Sequence, residues 1–276
     1  MKIPKAPFLI LVLLALLYFR IFHWLVNAWL TDPYYSHGFL VLLISAFVAW
    51  RAFRAARVPQ PEVNPGPYRN GLYLFACGLL IYAIGFITIF PFLIAVSLLF
   101  TLNGLILYFY GKPLMHSLLF PVAYLMFAIP LPVEFLDQVG YILQEISARY
   151  PAALLQVFGI PVTRRGAEVY LAEAAFIVGL PCSGLYSLIS LLALTALFVY
   201  LLQCPWYKKV ALLCAAVPVA IFANISRVTA LLLIAHAYGA GTATGFYHTL
   251  FSPLLFIIVF ICLILISIPM GCKVRV

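Results

Sequence analysis

Residues 208–237 read KKVALLCAAVPVAIFANISRVTALLLIAHA. Two lysines open the segment, and the apolar run behind them is long enough to cross a bilayer, which takes roughly 20 apolar residues as a helix. One arginine, Arg227, stands inside it. Counted from Val210 at 1.5 Å per residue, it lies about 25 Å along, in the outer part of the bilayer if the lysines are inside. Burying a guanidinium there costs about 2.5–3.5 kcal/mol on the mildest insertion scale. A carboxylate, a water-filled cavity or a substrate must offset that cost. Asn224, one turn earlier, shares the face of Arg227 and is placed to orient it.

Similar apolar runs recur along the chain. Of its 276 residues, 66% are hydrophobic and 8% charged, with a mean hydropathy of +1.15. No soluble domain buries that fraction of apolar surface, so the class is an all-α polytopic membrane protein. Eight spans fit, at about 7–29, 38–55, 71–88, 91–110, 114–131, 183–203, 208–237 and 246–269. The third and fourth are separated by Ile89-Phe90-Pro91, the mark of a tight hairpin. The chain reads as one integral membrane domain, 1–276, with a single long non-spanning stretch at 132–181.

Basic residues set the orientation. Lys2, Lys5, Arg51, Arg54, Arg57, Arg69, Lys112, Lys208, Lys209, Lys273 and Arg275 all fall on one side of an eight-span model, against Arg149, Arg164 and Arg165 on the other. That bias puts both termini in the cytoplasm and residues 132–181 outside, in a cell (inner) membrane. The net charge of +9 thus reports topology, and no nucleic-acid partner is expected. Arg20 and the lack of a small-residue cleavage site mark the first span as a retained helix rather than a signal peptide. No His-Glu-x-x-His and no paired-cysteine spacing is present, so neither a metal nor an organic cofactor is expected. Cys77, Cys204, Cys214 and Cys262 read as small membrane-core residues, and Cys272 as a cytoplasmic thiol.

The outer loop predicts structure of its own. Residues 134–148 suit an amphipathic helix at the interface. Residues 160–171 alternate around Gly166 and predict a β-hairpin, after which Phe176-Ile177-Val178 leads back into the membrane. The chain then reaches Cys182-Ser183-Gly184 at the outer start of the sixth span. Unpaired N–H groups and the helix dipole favour a thiolate there. Gly184 gives a substrate backbone room to approach, and Ser183 is placed to cap the helix. Three histidines reach the same membrane face: His248 at the start of the eighth span, His37 before the second, and His236 near the end of the seventh. Spacing alone does not choose the base among them.

Tyr35-Ser36-His37-Gly38, Pro181-Cys182-Ser183-Gly184-Leu185, Asn224-Ile225-Ser226-Arg227-Val228 and His248 occur in that order, and with them the chain resembles the exosortase/archaeosortase family of membrane transpeptidases. Tyr186 stands where many bacterial members carry arginine. The resemblance implies that Cys182 is the nucleophile, Arg227 its catalytic partner and His248 the acid/base. It implies substrates that are exported proteins with a C-terminal sorting signal: a Pro-Glu-Pro-like motif, a transmembrane helix and a basic tail. An acyl-thioester would pass to an unidentified acceptor. His37, Asn224, Arg165 and Glu173 are the candidates for holding substrate. The other partners expected are membrane lipids. Two other classes compete: an intramembrane serine protease using Ser183, whose surroundings are loosely similar to Gly-x-Ser-Gly, and a non-enzymatic transporter in which Arg227 reads an anionic substrate.

Overall fold

The computed structural model describes residues 5–55, 68–171, 174–177, 179, 182–242 and 248–274. The chain separates into two compact units, Met1–Pro132 and Val133–Val276.

The first unit is helical. Helices α1 (Lys5–Leu17) and α2 (Phe19–Thr31) meet at Tyr18, so the first expected span is two helices. Tyr18 is fully buried, and its hydroxyl meets Ser97 Oγ at 2.8 Å. After α3 (Gly38–Ala55), α4 (Arg69–Ile87) and α5 (Pro91–Tyr124) form the expected tight hairpin. Pro91 supplies the first residue of α5, where its missing N–H costs nothing. Gly71, Gly78 and Gly85 recur every seven residues along α4 and face α5. A Cβ at Gly71 would lie 2.4 Å from the Tyr108 nitrogen, and one at Gly104 would lie 2.5 Å from the Phe75 nitrogen. Small residues of this kind let membrane helices approach backbone to backbone. Gly111, at φ 77°, breaks α5 between the two spans expected at 91–110 and 114–131. The second of these ends early, in a 3₁₀ turn at Leu125–Ala128.

In the second unit, α6 (Val133–Val157) is longer than the expected interfacial helix and is packed rather than lying free. The predicted hairpin forms: β1 (Val162–Arg165) pairs antiparallel with β2 (Glu168–Leu171) around Gly166 at φ 59°. Phe176 and Ile177, expected with Val178 to lead back into the membrane, instead belong to a third strand, β3 (Ala174–Ile177), on β2, and Val178 lies outside the described residues. Pairing satisfies backbone groups that a lone apolar strand would otherwise leave without partners. Helix α7 (Leu185–Leu201) leads through β4 (Leu202–Gln203) into α8 (Trp206–Tyr238), and then come α9 (Ala240–Thr242), α10 (His248–Ser267) and β5 (Lys273–Val274). Strands β4 and β5 pair, and Cys204 is disulfide-bonded to Cys272. That corrects both cysteine expectations: neither is a lone thiol, because β4–β5 pairing brings two distant ends together. Cys77 and Cys214 lie exposed on outer helix faces.

Among the described residues, four helical stretches are long and apolar enough to cross a membrane, Gly38–Ala55, Arg69–Ile87, Pro91–Ala128 and Trp206–Tyr238, with shorter apolar helices at Leu185–Leu201 and Pro253–Ser267. The protein is a polytopic, helical membrane protein. At 1.5 Å per residue α8 runs for about 50 Å, well beyond the hydrocarbon thickness. Its far end, Val228, Leu231, Leu232 and Ala235, packs with Ala148, Ala152 and Leu155 of α6 and with Val162, Val169 and Leu171 of the sheet. One face of α8 beyond Arg227 is thus covered by protein, while Leu233, His236 and Tyr238 on the other remain exposed.

Candidate active site

Helix α7 begins at Leu185, with Gly184 as its N-cap at φ 85°. Left-handed backbone of this kind is where glycine is cheapest. Cys182 therefore precedes the helix by a turn, and its N–H donates to the Gly179 carbonyl. Ser183 Oγ accepts the Leu185 N–H at 3.3 Å, so the serine does serve the helix start. Ser183 is 1% exposed.

Asn224 holds this turn. Its Nδ2 donates to the Cys182 carbonyl at 3.1 Å and to Ser147 Oγ of α6 at 2.8 Å. The Ser147 hydroxyl donates in turn to the Ser183 carbonyl at 3.4 Å. A Cβ on Gly184 would fall 2.8 Å from Asn224 Cγ. The space expected to admit a substrate backbone is therefore filled by Asn224.

Arg227, one turn beyond Asn224 on α8, is 5% exposed. Both line a narrow cleft with Gly184, Ser187, Ala223 and Phe256. A second, more open groove lies between α7 and α10, lined by Tyr186, Ser187, Ser190, Pro253, Phe256 and Ile257. Ser187 and Phe256 border both. The positive charge of Arg227 acts directly on the Cys182 thiol. Burial pushes that thiol up, and Arg227 pulls it part of the way back. Against the thiolate favoured by a helix N-terminus, Cys182 stands outside the first turn and is packed, half-buried, against the α6–sheet–α8 core. Burial in apolar surroundings disfavours the charged form more than the neighbouring charge restores it.

The histidines separate. His248 is the first residue of α10; its side chain lies outside the described residues, as does Glu173. Phe251, one turn further along α10, packs against the same core as Cys182. His236 is exposed near the end of α8. His37 belongs to the first unit, where burial pushes its imidazole below the ordinary range and a hydrogen bond to the Phe127 backbone raises it. Arg165 is exposed at the hairpin turn, opposite Glu168. The sequence reading missed Ser147. Its signal was a lone hydroxyl on the apolar stripe of α6, four residues before Pro151.

The geometry joins the cysteine motif to the Asn-x-x-Arg motif. A family model described as "Transmembrane exosortase (Exosortase_EpsH)" matches residues 29–265. The chain belongs to the transmembrane exosortase family. The match takes in every motif named above, from Tyr35 to His248. No curated protein and no solved structure matches this exosortase. Among the described residues no cluster of histidine, cysteine and carboxylate side chains has the arrangement of a metal site.

Proposed function

We propose that the chain is a membrane-embedded cysteine transpeptidase that cleaves the C-terminal sorting signals of exported proteins and transfers them to an acceptor. The observation that carries this reading is that half-buried Cys182 is held by the buried Asn224 and lies within the electrostatic reach of the buried Arg227 guanidinium. On the basic-residue bias, the protein is a multi-pass protein of the inner membrane, with both termini cytoplasmic and the site on the extracytoplasmic side.

Because burial holds the thiol protonated, the attack needs a base. His248 fills that role at the start of α10. It takes the Cys182 proton, and the sulfur attacks the scissile carbonyl. Arg227 stabilises the oxyanion with its planar donors. As the tetrahedral intermediate collapses, the C–N bond breaks and His248 returns the proton to the leaving amine. The acyl-thioester then passes to an amine, a hydroxyl or water. Arg165 on β1, together with Glu173 and His37, is assigned to holding the sorting signal, and Asn224 to fixing the nucleophile's backbone.

Ser183 is a poor alternative nucleophile, since its Oγ is buried and accepts the Leu185 N–H. The test is to trap a thioester between Cys182 and a reporter bearing a Pro-Glu-Pro-type signal. Cys182→Ala abolishes the adduct and the processing, while Ser183→Ala retains substantial activity. The reverse pattern makes the enzyme a serine protease. A Cys182→Ala variant that is silent while Arg227 variants are not supports a transporter.

A further inference from the structure

Helix α6 packs through a stripe of Leu136, Gly140, Leu143, Ser147, Ala148, Pro151, Ala152 and Leu155. Ser147 is the one hydroxyl in that stripe and is 2% exposed. A buried hydroxyl costs free energy unless its hydrogen bonds are made. Here they are made to the nucleophile's turn.

Donor and acceptor chemistry fixes the direction of each bond. The Cys182 carbonyl only accepts, so the amide nitrogen of Asn224, not its oxygen, must face it. The same nitrogen then faces Ser147 Oγ at 2.8 Å, so the serine oxygen accepts. Its own proton is left for the Ser183 carbonyl, at 3.4 Å. Two successive carbonyls, of Cys182 and Ser183, are thereby held by one connected pair of side chains from two helices. A second feature falls on the same residue. Pro151 lacks an N–H, so the Ser147 carbonyl loses its partner four residues on, and α6 is free to bend at this level.

We infer that Ser147 is a positioning residue for the Cys182 nucleophile, acting through Asn224 and the Ser183 carbonyl to set the orientation of the Cys182-Ser183-Gly184 turn. It touches neither the thiol nor a substrate. Without the hydroxyl, Asn224 loses its bond to Ser147 and the Ser183 carbonyl loses the one from Ser147, so the orientation of the turn is less tightly set. Gly184 offers little resistance, being the residue with the least restricted backbone.

This inference rests on the proposed role of Cys182, and its test separates the two. Full-length protein with Cys77, Cys214 and Cys262 replaced by alanine is placed in proteoliposomes, leaving Cys182 as its sole free thiol. Iodoacetamide alkylation of Cys182 is followed from pH 7 to 10, and cleavage of the Pro-Glu-Pro-type reporter is measured in parallel. Ser147→Ala is expected to lower the reporter kcat by about 10–100-fold with KM nearly unchanged, as misplacement of a reacting group does. It also shifts the alkylation profile. Ser147→Thr, which keeps the hydroxyl, restores both. In an Asn224→Ala background, Ser147→Ala adds less than about twofold, because residues in one network do not act additively. Wild-type kcat and alkylation in Ser147→Ala overturn the inference, as does a loss that multiplies with that of Asn224→Ala. If the parent protein cleaves no reporter, the transpeptidase reading fails, and alkylation alone decides the role of Ser147.

Discussion

At the scale of single residues, the site sets a protonated thiol beside a buried guanidinium. Raising the thiol's pKa while a cation stands next to it gives a signed prediction. Alkylation of Cys182 should rise only above the ordinary thiol range, since burial lifts its pKa. Arg227→Gln removes the charge that favours the thiolate, so the midpoint should move further up; a downward shift contradicts the geometry. Arg227→Lys should cost processing about 100-fold or more, because an ammonium cannot reproduce a planar fork of donors. Gly184→Ala meets two obstacles, a backbone at φ 85° and a side chain 2.8 Å away. The first alone costs about 1–2 kcal/mol. Thermal unfolding in detergent should show the loss, with Asn224→Ala relieving only the steric part. Much of this was legible in the sequence. Asn224 and Arg227 are three apart on a helix, so a shared face follows from periodicity alone. What was hidden is the thiol's environment. The helix-start argument for Cys182 is local, whereas its burial comes from α6, well before it in the chain, and from the far end of α8.

At the scale of elements, the sheet is fixed to helices at both ends. Val162, Val169 and Leu171 turn into the α6–α8 core on one face, as a two-residue period demands. Arg164 ties the turn down, bonding Glu145 of α6 at 2.7 Å and the Gly166 carbonyl at 2.7 Å. Because the sheet leads into the cysteine turn and packs on the same core, removing residues 160–173 should impair reporter cleavage even where the protein still inserts. Full activity without them would reduce the sheet to a connector. The hairpin was readable from alternation around Gly166. Its third strand was not, since Ala174-Ala175-Phe176-Ile177 has the composition of a span's first turn and acquires strand character only by pairing with β2. The length of α6 was obscured for a similar reason: Pro151 looks like a helix end, yet the helix continues through it to Val157.

At the scale of the whole molecule, the eleven basic residues and the Cys204–Cys272 bond bear on the same question. Lys208, Lys209 and Lys273 flank the bond, and under the proposed topology that end faces the cytoplasm. Disulfides are rare there. The expected outcome is that both cysteines are alkylated in cells quenched with acid and that the bond closes once membranes meet air. A bond already present in cells would reverse the topology. An impermeant thiol reagent gives the independent check: Gly166→Cys, in a background free of other cysteines, should label from outside the cell alone. The α4–α5 seam has a different reach. Wherever Gly71, Gly78, Gly85 and Gly104 touch the facing helix, its main chain is among the nearest atoms, and every possible replacement adds atoms. Gly78→Val should therefore cost about 1–3 kcal/mol and expose α4 to limited proteolysis. Mutational drift has nowhere to go at such a seam. Around the first unit's other helices side chains can trade volume with their neighbours, but this hairpin is a fixed datum from which their positions are measured.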